Sequence, residues 1–258
     1  MIAIIPARYG STRLPGKMLL DIVGKPLILH TLGQASRARN VSRVIVATDD
    51  KRIFDVVTIT GGEAHMTSPD HQSGSDRLAE VAETLAEGSI IVNIQGDEPT
   101  ISPRTIEAAV DALISDENAD MSTTCETIDS VEELMNGNIV KVVTGDAGYA
   151  VYFSRSPIPY PRDAALKYDG PDRALREDTD LLSLFRKHTG LYAYRREFLL
   201  EFAKMPQTKL EKIEMLEQLR ALENGAKIRV VEVDEPSIGV DTQDDLEQVR
   251  AIVGRTSI

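Results

Sequence analysis

The chain has one cysteine, Cys125, so an intrachain disulfide is impossible, and no Cys/His cluster shows zinc-ligand spacing. It lacks any apolar run approaching the ~18 residues of a membrane span. The opening Ile2-Ala3-Ile4-Ile5 is too short for a signal-peptide core and is broken at once by Pro6. Positive charge is in the minority, with 29 Lys and Arg against 41 Asp and Glu, and it forms no basic stripe of the kind a nucleic-acid face needs. These absences lead to the expectation of a cytoplasmic protein with no membrane insertion and no nucleic-acid partner. Internal repeats and low-complexity tracts are missing too. What remains is 258 residues, 42% of them hydrophobic, enough to supply a large core.

Short β-rich runs alternate with helical patterns. "MIAIIP" reads as a strand, Lys25 to Arg39 as an amphipathic helix and "SRVIVATDD" as a second strand. A helix over 75–86, a buried strand in "SIIVNIQGDEP" and a helix in "SPRTIEAAVDALISD" follow, with Ser102 as N-cap. That βαβα order predicts a three-layer α/β fold with a mostly parallel sheet. The middle departs from it: "ADMSTTCETI", "NIVKVVTGDAGYAVYFSRSPIP" and "HTGLYAYRR" read as strands joined by turns. The polar stretch between Arg155 and His188 reads as a lid, a partner-contact arm or a partly disordered segment. A helix from about Leu210 to Glu223, the strand "AKIRVVEV" and a last helix after "GVDTQDDL" close the chain.

Against the acidic background, Arg8, Arg13 and Lys17 crowd the stretch after the first strand, which also carries Gly10 and Gly16. In open α/β sheets such loops meet ligands at the carboxyl ends of the strands, and glycines let backbone N–H groups approach an anion. Either this is a phosphate site or it is a surface loop whose cations balance the acidic remainder. It is no Walker A loop, since five residues separate the glycines and Met18 follows the lysine.

Asp97 follows a buried strand and Gly96, a placement that suits Mg²⁺ bound through carboxylates and substrate phosphates. Asp241 precedes the last helix, where Thr242, Asp244 and Asp245 suit a cap and first turn. "HQSGSDR" offers Ser73 and Gly74 at a helix start, with Arg77 in its first turn; this is either a nucleotide edge or a plain cap. Glu214 and Gln218 are four apart and expected on one helix face, over Ile213, Leu216 and Leu219.

Taken in order, "IIPARYGSTRLPGK", "VIVATDD", "DHQSGSDRLAEV", "VNIQGDEP", "VKVV", "YAVYFSRSPIP", "HTGLYAY", "KIEMLEQLRALENG" and "GVDTQDDLEQVR" span nearly the whole chain. Their sequence resembles the 3-deoxy-manno-octulosonate (KDO) cytidylyltransferases. The resemblance implies a Rossmann-like nucleotide-diphospho-sugar transferase fold, one domain over 1–258, with about 150–195 a β-rich arm near the sugar site and dimer contact. It also implies a homodimer and a Mg²⁺-dependent transferase making CMP-KDO and pyrophosphate from CTP and KDO, for lipopolysaccharide biosynthesis. An 8-amino-KDO or other acidic-sugar cytidylyltransferase, or a non-catalytic nucleotide- or sugar-acid-binding regulator, are the alternatives.

Carried over residue by residue, the resemblance assigns Arg8, Ser11, Arg13 and Lys17 to the triphosphate. Ala7, Arg8, Ser73, Gly74 and Arg77 go to cytosine and ribose. Asp97 and Asp241 go to Mg²⁺, while Gln95, Arg155, His188, Tyr192, Glu214 and Gln218 go to the sugar acid. Arg13, Lys17, Asp97 and Asp241 form the catalytic set.

Overall fold

The carboxyl ends of three adjacent parallel strands set where chemistry can occur in this molecule. A computed structural model describes residues 1–10, 14–71 and 73–256; Ser11 and Arg13 of the expected phosphate loop lie outside the described residues. The chain begins with β1 (Ile2–Ala7), a 3₁₀ turn (Lys17–Leu19) and the short hairpin β2 (Asp21–Ile22) and β3 (Lys25–Pro26). Next come α1 (Leu27–Ala35), β4 (Arg43–Thr48), α2 (Lys51–Ile59), β5 (Glu63–Met66), α3 (Gly74–Glu83), β6 (Ile90–Asn93) and α4 (Pro103–Ile114). The middle holds β7 (Met121–Thr127), α5 (Val131–Met135), β8 (Lys141–Thr144), β9 (Ala150–Ser154), α6 (Arg162–Lys167) and α7 (Pro171–Glu177). After a second 3₁₀ segment (Thr179–Leu184) follow β10 (Arg186–Arg195), α8 (Arg196–Phe202), α9 (Lys209–Glu214), α10 (Gln218–Glu223), β11 (Ile228–Glu232) and α11 (Gln243–Thr256). None of the described helices is long and apolar enough to cross a membrane.

Two units emerge. The first holds Met1–Asp111, Leu191–Lys204 and Glu235–Ile258, and the second Ala112–Gly190 and Met205–Asp234. In the first, strands run β10-β6-β1-β4-β5, with β1 parallel to both β4 and β6 and only β10 antiparallel. Ile4 lies between Ile45 and Asn93, so Ala7, Thr48 and Asn93 end at one edge. Ala3, Ile4 and Ile5 are fully buried, as a parallel strand covered on both faces requires. Asp50 caps α2, its side chain accepting from Arg52 N, and Ser73 and Asp76 form a reciprocal capping box on α3.

Within the second unit β7 pairs in parallel with β11, and β8 pairs with β9 antiparallel. The stretch between Arg155 and His188 is not a structureless loop. It folds into α6, α7 and the 3₁₀ segment, and Leu175, Leu182 and Phe185 pack with Ile128, Val131 and Leu134. The helix expected from Leu210 to Glu223 is also corrected. It breaks between α9 and α10 because Met215 takes a left-handed conformation (φ 54°), so Glu214 and Gln218 do not share a helix face. Ile213, expected to pack beneath them, is 67% exposed, whereas Leu216 and Leu219 are buried.

One glycine is dictated by close approach. A Cβ on Gly96 would lie 2.9 Å from the Pro6 carbonyl oxygen and 3.2 Å from Met18 Cε. The loop after β6 can therefore touch the end of β1 only without a side chain there. Gly96→Ala is expected to lower stability by about 1–3 kcal/mol through overpacking. Thermal unfolding checks this: an unchanged midpoint would show that the contact tolerates a methyl group.

Candidate active site

Three loops leaving β1, β6 and the turn before α11 form a cleft of about 360 Å³ in the first unit. Its lining includes Arg8, Lys17, Gly74, Gln95, Asp97 and Asp241. At its floor the Lys17 ammonium donates to the Asp97 carboxylate, to Asp241 Oδ1 at 2.9 Å and to the Val240 carbonyl at 3.2 Å. Its three protons thus have three oxygen partners. Burial acts to lower the Lys17 pKa, but Asp97 and then Asp241 outweigh it and hold the ammonium above its usual value.

The carboxylates are positioned by backbone. Val240 N donates to the Asp97 carbonyl at 2.8 Å, and Thr31 Oγ1 donates to the Gly96 carbonyl at 2.9 Å. Asp241 N donates to Asp245 Oδ2 at 3.1 Å, as does Thr242 N at 2.8 Å, so the cap expected of Thr242 and Asp245 anchors Asp241 as well. Also in the cleft lining, the Nη2 of Arg8 is buried with no hydrogen-bond partner among the described residues. A buried guanidinium donor left unmatched is costly unless a ligand acceptor meets it. Gly16, at φ 70°, packs over the Tyr9 ring, which the Arg52 guanidinium stacks against at 3.3 Å from its centroid.

Not every expected nucleotide residue lines the cleft. Ala7 is the buried last residue of β1, and Ser73 is engaged in the α3 capping box with Asp76. Arg77 is fully buried, with its guanidinium on Asp49 Oδ2 at 2.9 Å and on Thr67 Oγ1. From there it ties α3 to the chain following β4 and β5.

Of the expected sugar residues, Gln95 lines the cleft of the first unit, and Tyr192 is buried on β10 with its ring 5.7 Å from that of Tyr194. The other four belong to the second unit. Glu214 accepts from Ser154 Oγ at 2.6 Å and from Arg155 N at 3.0 Å. The Arg155 side chain donates to the carbonyls of Glu214 (2.7 Å) and Gly137 (2.9 Å), so it fixes two loops. His188 lies 2.8 Å from Thr123 Oγ1 and edge-on to Phe153 at 5.1 Å, and burial pushes its imidazole down to about 3. Gln218 is buried at the start of α10.

Sequence reasoning missed Lys141. This lysine is completely buried, and its ammonium donates to the carbonyls of Asn136 (3.0 Å) and Ile139 (2.7 Å). Burial first, and then the Arg155 charge, lower its pKa. The signal was a lone charge inside the apolar run of "IVKVV". Cys125 is buried and its thiol is pushed up to about 12, which removes it as a nucleophile.

The chain is similar to known proteins over nearly its whole length. The family described as Cytidylyltransferase matches residues 2–228. The chain is 54% identical to the 3-deoxy-manno-octulosonate cytidylyltransferase of Trichlorobacter lovleyi, over 97% of each chain. It is 53% identical to that of Geobacter sulfurreducens, over 96% of each. A solved structure of CMP:2-keto-3-deoxy-manno-octonic acid synthetase complexed with CTP superposes with a TM-score of 0.88 at 44% identity, covering 99% of this chain and 98% of that one. The Rossmann-like nucleotidyltransferase fold expected from the resemblance is the fold found.

Two outcomes test the roles assigned here. Arg77→Met leaves the Asp49 carboxylate without its buried partner, and a loss of about 3 kcal/mol is expected in thermal or denaturant unfolding. No loss would mean that Arg77 is free for another task. For His188 the unfolded imidazole takes up a proton below pH 6.5, which the folded one refuses down to about 3. Stability should therefore fall as pH drops through that window, and less steeply in His188→Gln. Identical pH profiles for the two proteins would contradict a neutral, buried His188.

Proposed function

The chain belongs to the 3-deoxy-manno-octulosonate cytidylyltransferase family, and from that premise we propose that it joins CTP to KDO, giving CMP-KDO and pyrophosphate with Mg²⁺. The observation that carries the reading is the cleft around Lys17, where a guanidinium N–H unmatched among the described residues and an ammonium line the same space as two converged carboxylates. A triphosphate calls for the first pair and a divalent cation for the second.

Asp97 and Asp241 would hold Mg²⁺. They already enclose one cation, the Lys17 ammonium, and hard carboxylate oxygens completed by substrate phosphate are the donors this ion takes. When bound, it would supply Lewis-acid charge for transfer at phosphorus. The chain's own groups bind and orient. Arg8 and Lys17, with Arg13, neutralise phosphate oxygens, including the charge that grows on departing pyrophosphate. The anomeric hydroxyl of the sugar acid attacks the α-phosphorus in line, a reaction governed by positioning more than by covalent chemistry. For the sugar acid the family resemblance points to Gln95 and Tyr192 within the first unit and to Arg155, His188, Glu214 and Gln218 within the second. A neutral His188 can orient a hydroxyl but adds no charge.

The wider reading is a cytoplasmic homodimer. Exposed Val151, Tyr160, Leu166 and Leu184 of the second unit support contact with a second copy, and the lone buried thiol suits a reducing compartment.

Pyrophosphate release tests the proposal. Each of the four nucleoside triphosphates is crossed with KDO, 8-amino-KDO and a sialic acid, with Mg²⁺ or with chelator. Release is expected with CTP and KDO and is lost on chelation. Release with a different sugar would overturn the substrate assignment, and silence throughout would overturn the enzyme.

A further inference from the structure

The three-oxygen cage around Lys17 has the form of a small cation site that is already filled from within. Both loops that carry its carboxylates are pinned by backbone N–H groups whose acceptors are not shared with Lys17: Val240 N donates to the Asp97 carbonyl, and Asp241 N to the Asp245 side chain. The movable member is the lysine side chain. Its ammonium nitrogen is 2.9 Å from Asp241 Oδ1. A Mg²⁺ ion binds carboxylate oxygen at about 2.0–2.1 Å, so both cannot occupy the space between Asp97 and Asp241.

We propose that Lys17 is an internal cation that closes the Asp97–Asp241 pair to divalent metal until a triphosphate draws the ammonium away. This rests on reading that pair as the metal pair of the proposed reaction. A displaced ammonium needs a new anion, because leaving it buried without one carries the full cost of an unpaired charge. The cleft offers the place for that anion: Lys17 lines it together with Arg8, whose buried Nη2 has no acceptor among the described residues. A triphosphate satisfies both cations at once and frees the carboxylates. Metal and nucleotide then enter as a coupled pair, each raising the affinity for the other. Metal binding ahead of nucleotide is disfavoured, which keeps the carboxylates from holding an ion in an unproductive state. Lys17 acts in this as a positioning residue on the metal, in addition to its contact with phosphate.

The test is direct metal binding by the full chain with no nucleotide or sugar present. Mn²⁺ is titrated in and the free ion is followed by electron paramagnetic resonance. Wild type should bind weakly, and Lys17→Met and Lys17→Gln should each bind about tenfold tighter or more, the equivalent of removing one ion-paired competitor. Adding Asp97→Asn to Lys17→Met should abolish the gain. Thermal unfolding reports which variants are folded, and Lys17→Gln, which retains hydrogen bonding, decides if Lys17→Met is not. Equal Mn²⁺ affinity in wild type and a folded Lys17 variant overturns the proposal. So does a gain that survives Asp97→Asn. Failure of the reaction itself would appear separately, as silence in the pyrophosphate assay with the Mn²⁺ difference intact.

Discussion

The ammonium of Lys17 is the constraint on which the cleft depends. An exposed lysine next to acids contributes little, but this one is 8% exposed and its carboxylate partners come from 80 and 224 residues away. Two carboxylates brought this close repel one another in a partly dry setting, and a cation between them removes that cost. Three chain segments with no local reason to meet are thereby joined at one point: the turn after the first loop, the loop after β6 and the turn before α11. The backbone bond between Val240 and Asp97 then fixes their spacing independently of the side chains.

That arrangement explains how an acidic chain handles acidic substrates. A formal net charge of -12 repels a triphosphate at long range, although salt screens much of this beyond about 10 Å. What matters is the local field of the cleft. Arg8, directly after the end of β1, and Lys17, buried among its oxygen partners, both line it. Gly10 and Gly74 leave backbone exposed along the same wall. The site therefore needs few cations, provided each is correctly placed.

Much of this was legible in the residues. β1, β4 and β6 are short apolar runs that end in charged or glycine-rich loops. In a parallel sheet those loops must gather at one edge, so Arg8, Lys17 and Asp97 could be brought together on paper. Asp241 was legible through its helix cap. What escaped the reading depends on distant partners or on unusual backbone. Arg77 looks like a surface group until Asp49, 28 residues earlier, receives it in the interior. Met215 carries no mark of a helix break, since left-handed backbone is ordinarily signalled by Gly or Asn. The segment between Arg155 and His188 forms helices of six and seven residues, too short for apolar periodicity to declare itself. Its order comes from Leu175, Leu182 and Phe185 docking on α5, a tertiary effect.

The second unit follows a different logic. In the first unit, Arg8 and Lys17 line the cleft; in the second, Lys141 and Arg155 donate to backbone carbonyls of the 136–139 loop and of Glu214. Those charges hold loops in place, and Glu214 in turn accepts from Ser154 and from the Arg155 amide. Hydroxyl-rich ligands are discriminated by groups whose geometry is fixed before binding, because an unmatched polar group left behind by a wrong ligand carries the desolvation cost. A neutral His188 and a braced Glu214 are groups of that kind. On the proposed reading, nucleotide capture would depend on placed charge, and choice among acidic sugars on hydrogen-bonding groups that the fold holds fixed.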